Sequence, residues 1–187
     1  MKKLSFFAFS LLAACHARPD PVPSEANTFS CLIDNKAFTP YLAPSSQPFT
    51  GPKIPALNAI YVAKEHILVL EARDVYNQIS IGIHLTPGVG TGTYSLGYSR
   101  LMYPFSSTFT NYGTYTSIPP FVSGVTDPNN LPPVLIYTTD AVNKGSLSLT
   151  RLDTIARTAA GTFTFAAREP TMGQITHLTS GQFDVTF

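Results

Sequence analysis

The 187-residue chain contains no tryptophan, two cysteines and four histidines, and charged side chains make up only 12% of it. Each shortage excludes something. Two cysteines do not make a disulfide framework, and a chain of this size can build a core without one. Twelve Lys and Arg stand against eleven Asp and Glu, so there is no basic patch for nucleic acid and no block of like charge. His16, His66, His84 and His177 lie far apart, without Cys or acidic neighbours at metal-ligand spacing, so neither a metal nor another cofactor is expected. A strained Gly-x-Ser-x-Gly elbow is missing, as is a Gly-rich phosphate cradle opening a helix. No segment carries a helical apolar period.

What is plentiful is the material of strands and turns. Thirteen Phe and nine Tyr accompany sixteen Pro and twelve Gly, and aromatic and β-branched residues suit a pleated surface. At the N-terminus, Lys2 and Lys3 precede an apolar stretch from Leu4 to Leu12, followed by Leu12-Ala13-Ala14-Cys15. A positive patch, a short apolar run and a small-residue cleavage site describe a signal peptide. The last four residues resemble the bacterial lipobox, which implies that residues 1–14 are removed and that the Cys15 thiol and the new N-terminus are acylated. Several acyl chains on one residue anchor stably, because each buried CH₂ contributes about 0.8 kcal/mol. Residues 15–27 carry Pro19, Pro21 and Pro23 with no apolar period. They read as a tether of about 35 Å, at polyproline-like rise. With Cys15 alkylated, Cys31 has no intramolecular partner and reads as a small buried hydrophobe.

From Thr28 onward the pattern is that of one domain, 28–187. Residues 28–33 form an apolar strand-like run, Asp34-Asn35 a turn, and Lys36 to Thr39 its return. Leu57–Val62 and His66–Ala72 flank Lys64-Glu65 as a hairpin. Between Gln78 and Leu85, Ile79, Ile81, Ile83 and Leu85 alternate with Ser80, Gly82 and His84, the period of a half-buried strand. Short strands follow at Thr91–Leu96 and Val134–Thr138. Gly145–Leu152 alternates, Asp153-Thr154 is a turn, and Ile155–Arg157 is expected to start a strand that continues through Gly161–Ala167. The chain alternates again from Gly181 to Phe187. These features predict an all-β fold, a single antiparallel β-sandwich or barrel of about 8–10 strands with no substantial helix.

Thr28-Phe29-Ser30-Cys31-Leu32-Ile33-Asp34, Gly92-Thr93-Tyr94-Ser95-Leu96, Gly145 to Asp153, Gly161-Thr162-Phe163-Thr164-Phe165 and Ser180 to Val185 together resemble small all-β lipoproteins of unknown function common in the Bacteroidota. The resemblance implies an all-β fold and an envelope location, and it brings no catalytic residues to transfer. By analogy with lipoprotein sorting, His16 rather than Asp after the lipidated cysteine favours the outer membrane.

Residues 97–133 differ from the rest. They hold seven aromatics, many Ser and Thr, and only Arg100 and Asp127 as charges. Tyrosine offers an apolar face with a polar tip, and long loops on β scaffolds often carry function. Tyr98, Tyr103, Phe105, Tyr112 and Tyr115 are therefore the candidate binding residues, for a glycan or an envelope protein. This is the reading of a non-enzymatic binding or structural module. A carrier of a small apolar ligand inside a barrel is the alternative, lined by residues such as Ile81, Ile83, Phe163 and Phe165. A hydrolase using acids such as Glu71, Asp74, Asp140, Asp153 and Asp184 comes third, since turn and surface acids of this kind occur in any protein this size.

Overall fold

The computed structural model describes residues 27–41, 55–88, 90–97, 111–120 and 132–187. The expected signal and tether, Cys15 included, lie outside the described residues apart from Asn27, and so do Tyr98, Tyr103 and Phe105.

Among the described residues, eleven strands, where about eight to ten were expected, form one curled antiparallel sheet, and there is no helix. In chain order they are β1 (Thr28–Ile33), β2 (Lys36–Phe38), β3 (Leu57–Val62), β4 (Ile67–Arg73), β5 (Asn77–His84), β6 (Gly92–Leu96), β7 (Tyr112–Ser117), β8 (Leu135–Thr138), β9 (Gly145–Asp153), β10 (Thr158–Arg168) and β11 (Ile175–Thr186). The sheet runs β2-β1-β11-β10-β8-β7-β5-β4-β3, and β10 also pairs with β9, which carries β6. The right-handed twist of neighbouring strands rolls this surface into a half-barrel. Tyr61 of β3 meets Phe187, just past β11, with ring centroids 5.4 Å apart, although five strands separate β3 from β11 in the sheet.

The concave face holds the core. Phe29 and Cys31 of β1, Leu68 and Leu70 of β4, Ile79, Ile81 and Ile83 of β5, Leu147 and Leu149 of β9, Phe163 and Phe165 of β10 and Phe183 of β11 belong to one buried cluster. At its centre, two Gly-x-Phe strands interlock. Antiparallel register sets Phe163 opposite Gly181 and Gly161 opposite Phe183. A Cβ at Gly181 would stand 2.6 Å from the Phe163 ring, so each ring covers the backbone that the opposite glycine leaves bare.

Four expectations meet corrections. Ser80 and Gly82 were placed on a solvated face, yet both are buried, Ser80 at 2% exposure. Here β4 and β5 are covered on both faces, and the Ser80 hydroxyl lies 3.4 Å from that of Tyr112. Near-continuous apolar runs such as Ile67–Leu70 mark strands buried on both sides. Ile155–Arg157 does not start a strand. The Asp153 carboxylate accepts from the Ile155 and Ala156 amides at 2.8 and 2.7 Å, closing a turn that leaves Ile155 95% exposed. The last strand begins at Ile175 rather than Gly181. A bulge near Ser180 (φ 52°) shifts the register, so buried positions change from Thr176 and Leu178 to Gly181, Phe183 and Val185. One extra residue inverts the parity of a strand, which conceals its first half from a period-two reading. Finally, β7 arises inside the stretch that had no assigned strand.

Candidate functional site

Two turns far apart in sequence meet at one end of the half-barrel. Asp34 and Asn35 both take left-handed conformations, φ 46° and 66°, as a two-residue hairpin turn requires, and Asp and Asn tolerate that region best among residues with side chains. The turn is tied to β11: the Asp34 amide donates to the His177 carbonyl at 2.9 Å, and the His177 amide donates to Asp34 Oδ1 at 2.8 Å. The second turn joins β4 to β5. Asp74 Oδ1 accepts from the amides of Tyr76 and Asn77 at 2.7 and 2.6 Å. The backbone around it anchors two further segments. The Tyr41 amide donates to the Arg73 carbonyl, the Arg73 amide to the Ala56 carbonyl, and the Ile118 amide to the Tyr76 carbonyl.

Between these turns opens a pocket of about 380 Å³, with Asp34, Lys36, Asp74, Asn77 and Tyr115 as its polar lining and Ile33, Ala37 and Phe38 as its apolar wall. Its polar groups form a relay. Asn77 Nδ2 donates to both Asp74 oxygens, at 3.1 and 2.9 Å. A carboxylate only accepts, so this fixes the amide's orientation and leaves Asn77 Oδ1 to accept from the Tyr115 hydroxyl at 2.7 Å. The Tyr115 ring packs on Tyr137 at 5.4 Å, and Tyr137 donates to Gln174 Oε1 at 3.1 Å. Burial pushes the Tyr115 phenol above its ordinary range. A hydrogen bond from Ser117 pulls it back, while Tyr137, Asp34 and Asp74 raise it further. It is a neutral hydroxyl at physiological pH. A concave site with an apolar wall and a few fixed polar groups is the usual form of a small-ligand site.

Of the five aromatics singled out from the sequence, the structure describes two. Tyr112 and Tyr115 are 3% and 7% exposed, so neither contributes to an exposed aromatic face. Both lie within β7, between β5 and β8; Tyr115 belongs to the buried cluster and the Tyr112 hydroxyl lies 3.4 Å from that of Ser80. Tyr115 reaches the pocket through its hydroxyl instead. Ile81, Ile83, Phe163 and Phe165 are core packing residues: Phe163 lies 5.1 Å from Phe29 and 6.2 Å from Phe165 between ring centroids. Asp34, Lys36, Phe38 and Asn77 were not anticipated as site residues. Forty residues separate Asp34 from Asp74, and no local motif links them.

The acids considered for hydrolysis have structural partners. Asp184 pairs with Arg151 at 2.6 Å. Asp140 accepts from the Val142 and Asn143 amides, and hydrogen bonds from the Asn143 backbone and side chain hold its carboxyl below the usual range. Glu71 lies 3.5 Å from Asn58 Nδ2. Glu169, whose carboxyl is lowered by the Met172 and Thr171 amides, closes a turn in the same way. The His84 side chain is exposed. Cys31 is free and buried, and burial pushes its thiol up to about 12, the setting of an inert packing cysteine. Among the described residues no group of three or more His, Cys, Asp or Glu is placed to hold a metal ion, and no helix is long and apolar enough to cross a membrane. Comparisons with protein-family models, with curated proteins and with solved structures find no match for this chain.

Proposed function

We propose that this protein is a lipid-anchored cell-envelope module that binds a small polar ligand, such as a glycan unit or a short segment of an envelope protein, without transforming it. The observation that carries the binding reading is the pocket between the Asp34 and Asp74 turns, where a fixed Asp74–Asn77–Tyr115 relay stands against an apolar wall. The Leu12-Ala13-Ala14-Cys15 sequence and the Pro-rich run after it support anchoring, with the likeness to Bacteroidota lipoproteins and His16 favouring the outer membrane. The carboxylates that could have served hydrolysis are engaged in turns and an ion pair, which supports binding over catalysis.

Two experiments test this. Mass spectrometry of the protein purified from a bacterial membrane should find an acylated Cys15 as its first residue, and Cys15→Ser should release the chain from the membrane. A wild-type chain lacking acyl groups would contradict the anchor. For the pocket, the full-length chain titrated with a panel of monosaccharides and short peptides should show amide shifts gathered at Asp34, Asp74 and Asn77. Shifts confined to other surfaces would remove this site from consideration.

A further inference from the structure

The pocket's hydrogen-bonding polarity can be read atom by atom. One hydrogen of the Asn77 amide is shared between the two Asp74 oxygens, which turns Oδ1 toward Tyr115 and leaves the amide one further N–H to donate. The Tyr115 proton is directed at that same oxygen, so the phenol oxygen faces a ligand as an acceptor. Asp34 and Asp74 are carboxylates and accept only. Four of the five polar side chains therefore present acceptors, against which stand the Lys36 ammonium and the one remaining Asn77 N–H as donors. The charge at the pocket sums to one negative, two carboxylates against one lysine. No ion pair within 4.0 Å joins Lys36 to either carboxylate; among the described residues Arg151–Asp184 is the salt bridge formed. An acceptor-rich, net-negative cavity leaves acceptors without partners when a donor-poor or anionic group enters, and such groups are costly to leave unpaired.

Building on the binding reading above, we propose that the pocket selects a ligand bearing a protonated primary amine, for which an amino sugar is the fitting class. An ammonium group brings three donors and one positive charge, and charge-assisted hydrogen bonds are about twice as strong as neutral ones. The ring carrying it rests against Ile33, Ala37 and Phe38. Lys36 sits at the rim and opposes the cation.

Three probes with one ring scaffold test the assignment on the full-length chain: glucosamine, N-acetylglucosamine and glucuronate, each titrated by calorimetry with amide shifts followed in parallel. Glucosamine should bind at least about tenfold more tightly than N-acetylglucosamine, and glucuronate should not bind. Asp34→Asn keeps a residue tolerant of the left-handed turn and an oxygen for the His177 amide. It should weaken glucosamine about fivefold, while Lys36→Met should tighten it about threefold, by removal of one like charge. Opposite signs from two neighbouring side chains are not produced by a merely structural effect. If N-acetylglucosamine binds as well as glucosamine and shifts the pocket amides, the site stands and the amine preference is wrong. If none of the three shifts those amides, both the preference and the site reading fail.

Discussion

Two regions of the half-barrel solve different problems with different material. Where β10 pairs with β11, Phe163 and Phe183 each lie over a glycine of the other strand, and the ring-on-glycine contact is apolar and dense. At the Asp34–Asp74 end, turns are held by carboxylates accepting backbone amides, and the side chains that remain point into an open pocket. The first region resists any change of volume because protein interiors pack like crystals. The second tolerates change in volume but not in hydrogen-bond direction. Stability and ligand recognition are therefore expected to separate under mutation.

The largest effect expected is Phe163→Ala, which empties the centre of the core and should cost about 3–5 kcal/mol, read as a fall in the denaturant midpoint. Glucosamine affinity of the fraction still folded should be unchanged. Gly181→Ala comes next: a methyl group 2.6 Å from the Phe163 ring forces the two strands apart at a cost of about 1–3 kcal/mol. Tyr115→Phe sharpens the comparison from the other side. It should cost only about 1 kcal/mol of stability, yet weaken glucosamine about tenfold, because the acceptor oxygen is gone. A Tyr115→Phe chain that melts early and still binds would dissolve the distinction between the two regions.

Two smaller effects concern protons. The Asp140 carboxyl is held below its usual range by Asn143. Its folded value lies under the unfolded value of about 3.9, so its contribution is complete above that pH and lost as pH falls through the folded value. Thermal melts from pH 7 to pH 2 should show a shallower acid decline for Asp140→Asn than for wild type. In the core, the Cys31 thiol, raised to about 12, should resist alkylation at pH 8 until the chain unfolds, as mapped by labelling and peptide mass analysis.

The parts of the fold legible in the sequence are those where one strand obeys one period and its turn has local chemistry. Gly145–Leu152, the isoleucines of Gln78–Leu85 and the Asp34-Asn35 turn are of this kind. What was hidden has identifiable physical causes. The bulge at Ser180 inverts the parity of β11. β7 is Tyr-Gly-Thr-Tyr-Thr-Ser, with Tyr112, Gly113 and Tyr115 buried, which matches neither a strand buried on one face nor one buried on both. The Asp153 carboxylate makes a turn of residues whose apolar member, Ile155, looked like strand. The pocket was less legible still. Tyr115 drew notice as an aromatic, but its role depends on Asn77 and Asp74, and only the pairing of β7 with β5 puts Tyr115 within reach of Asn77.

The most direct test of a relay-built pocket is a glucosamine titration of the full-length chain followed by amide chemical shifts, run side by side on wild type and Tyr115→Phe. The account predicts wild-type shifts centred on Asp34, Asp74 and Asn77 that collapse in the variant while its melting temperature stays near that of wild type. Equal shifts in both chains, or shifts centred on the outer face of β9, β10 and β11, would contradict it.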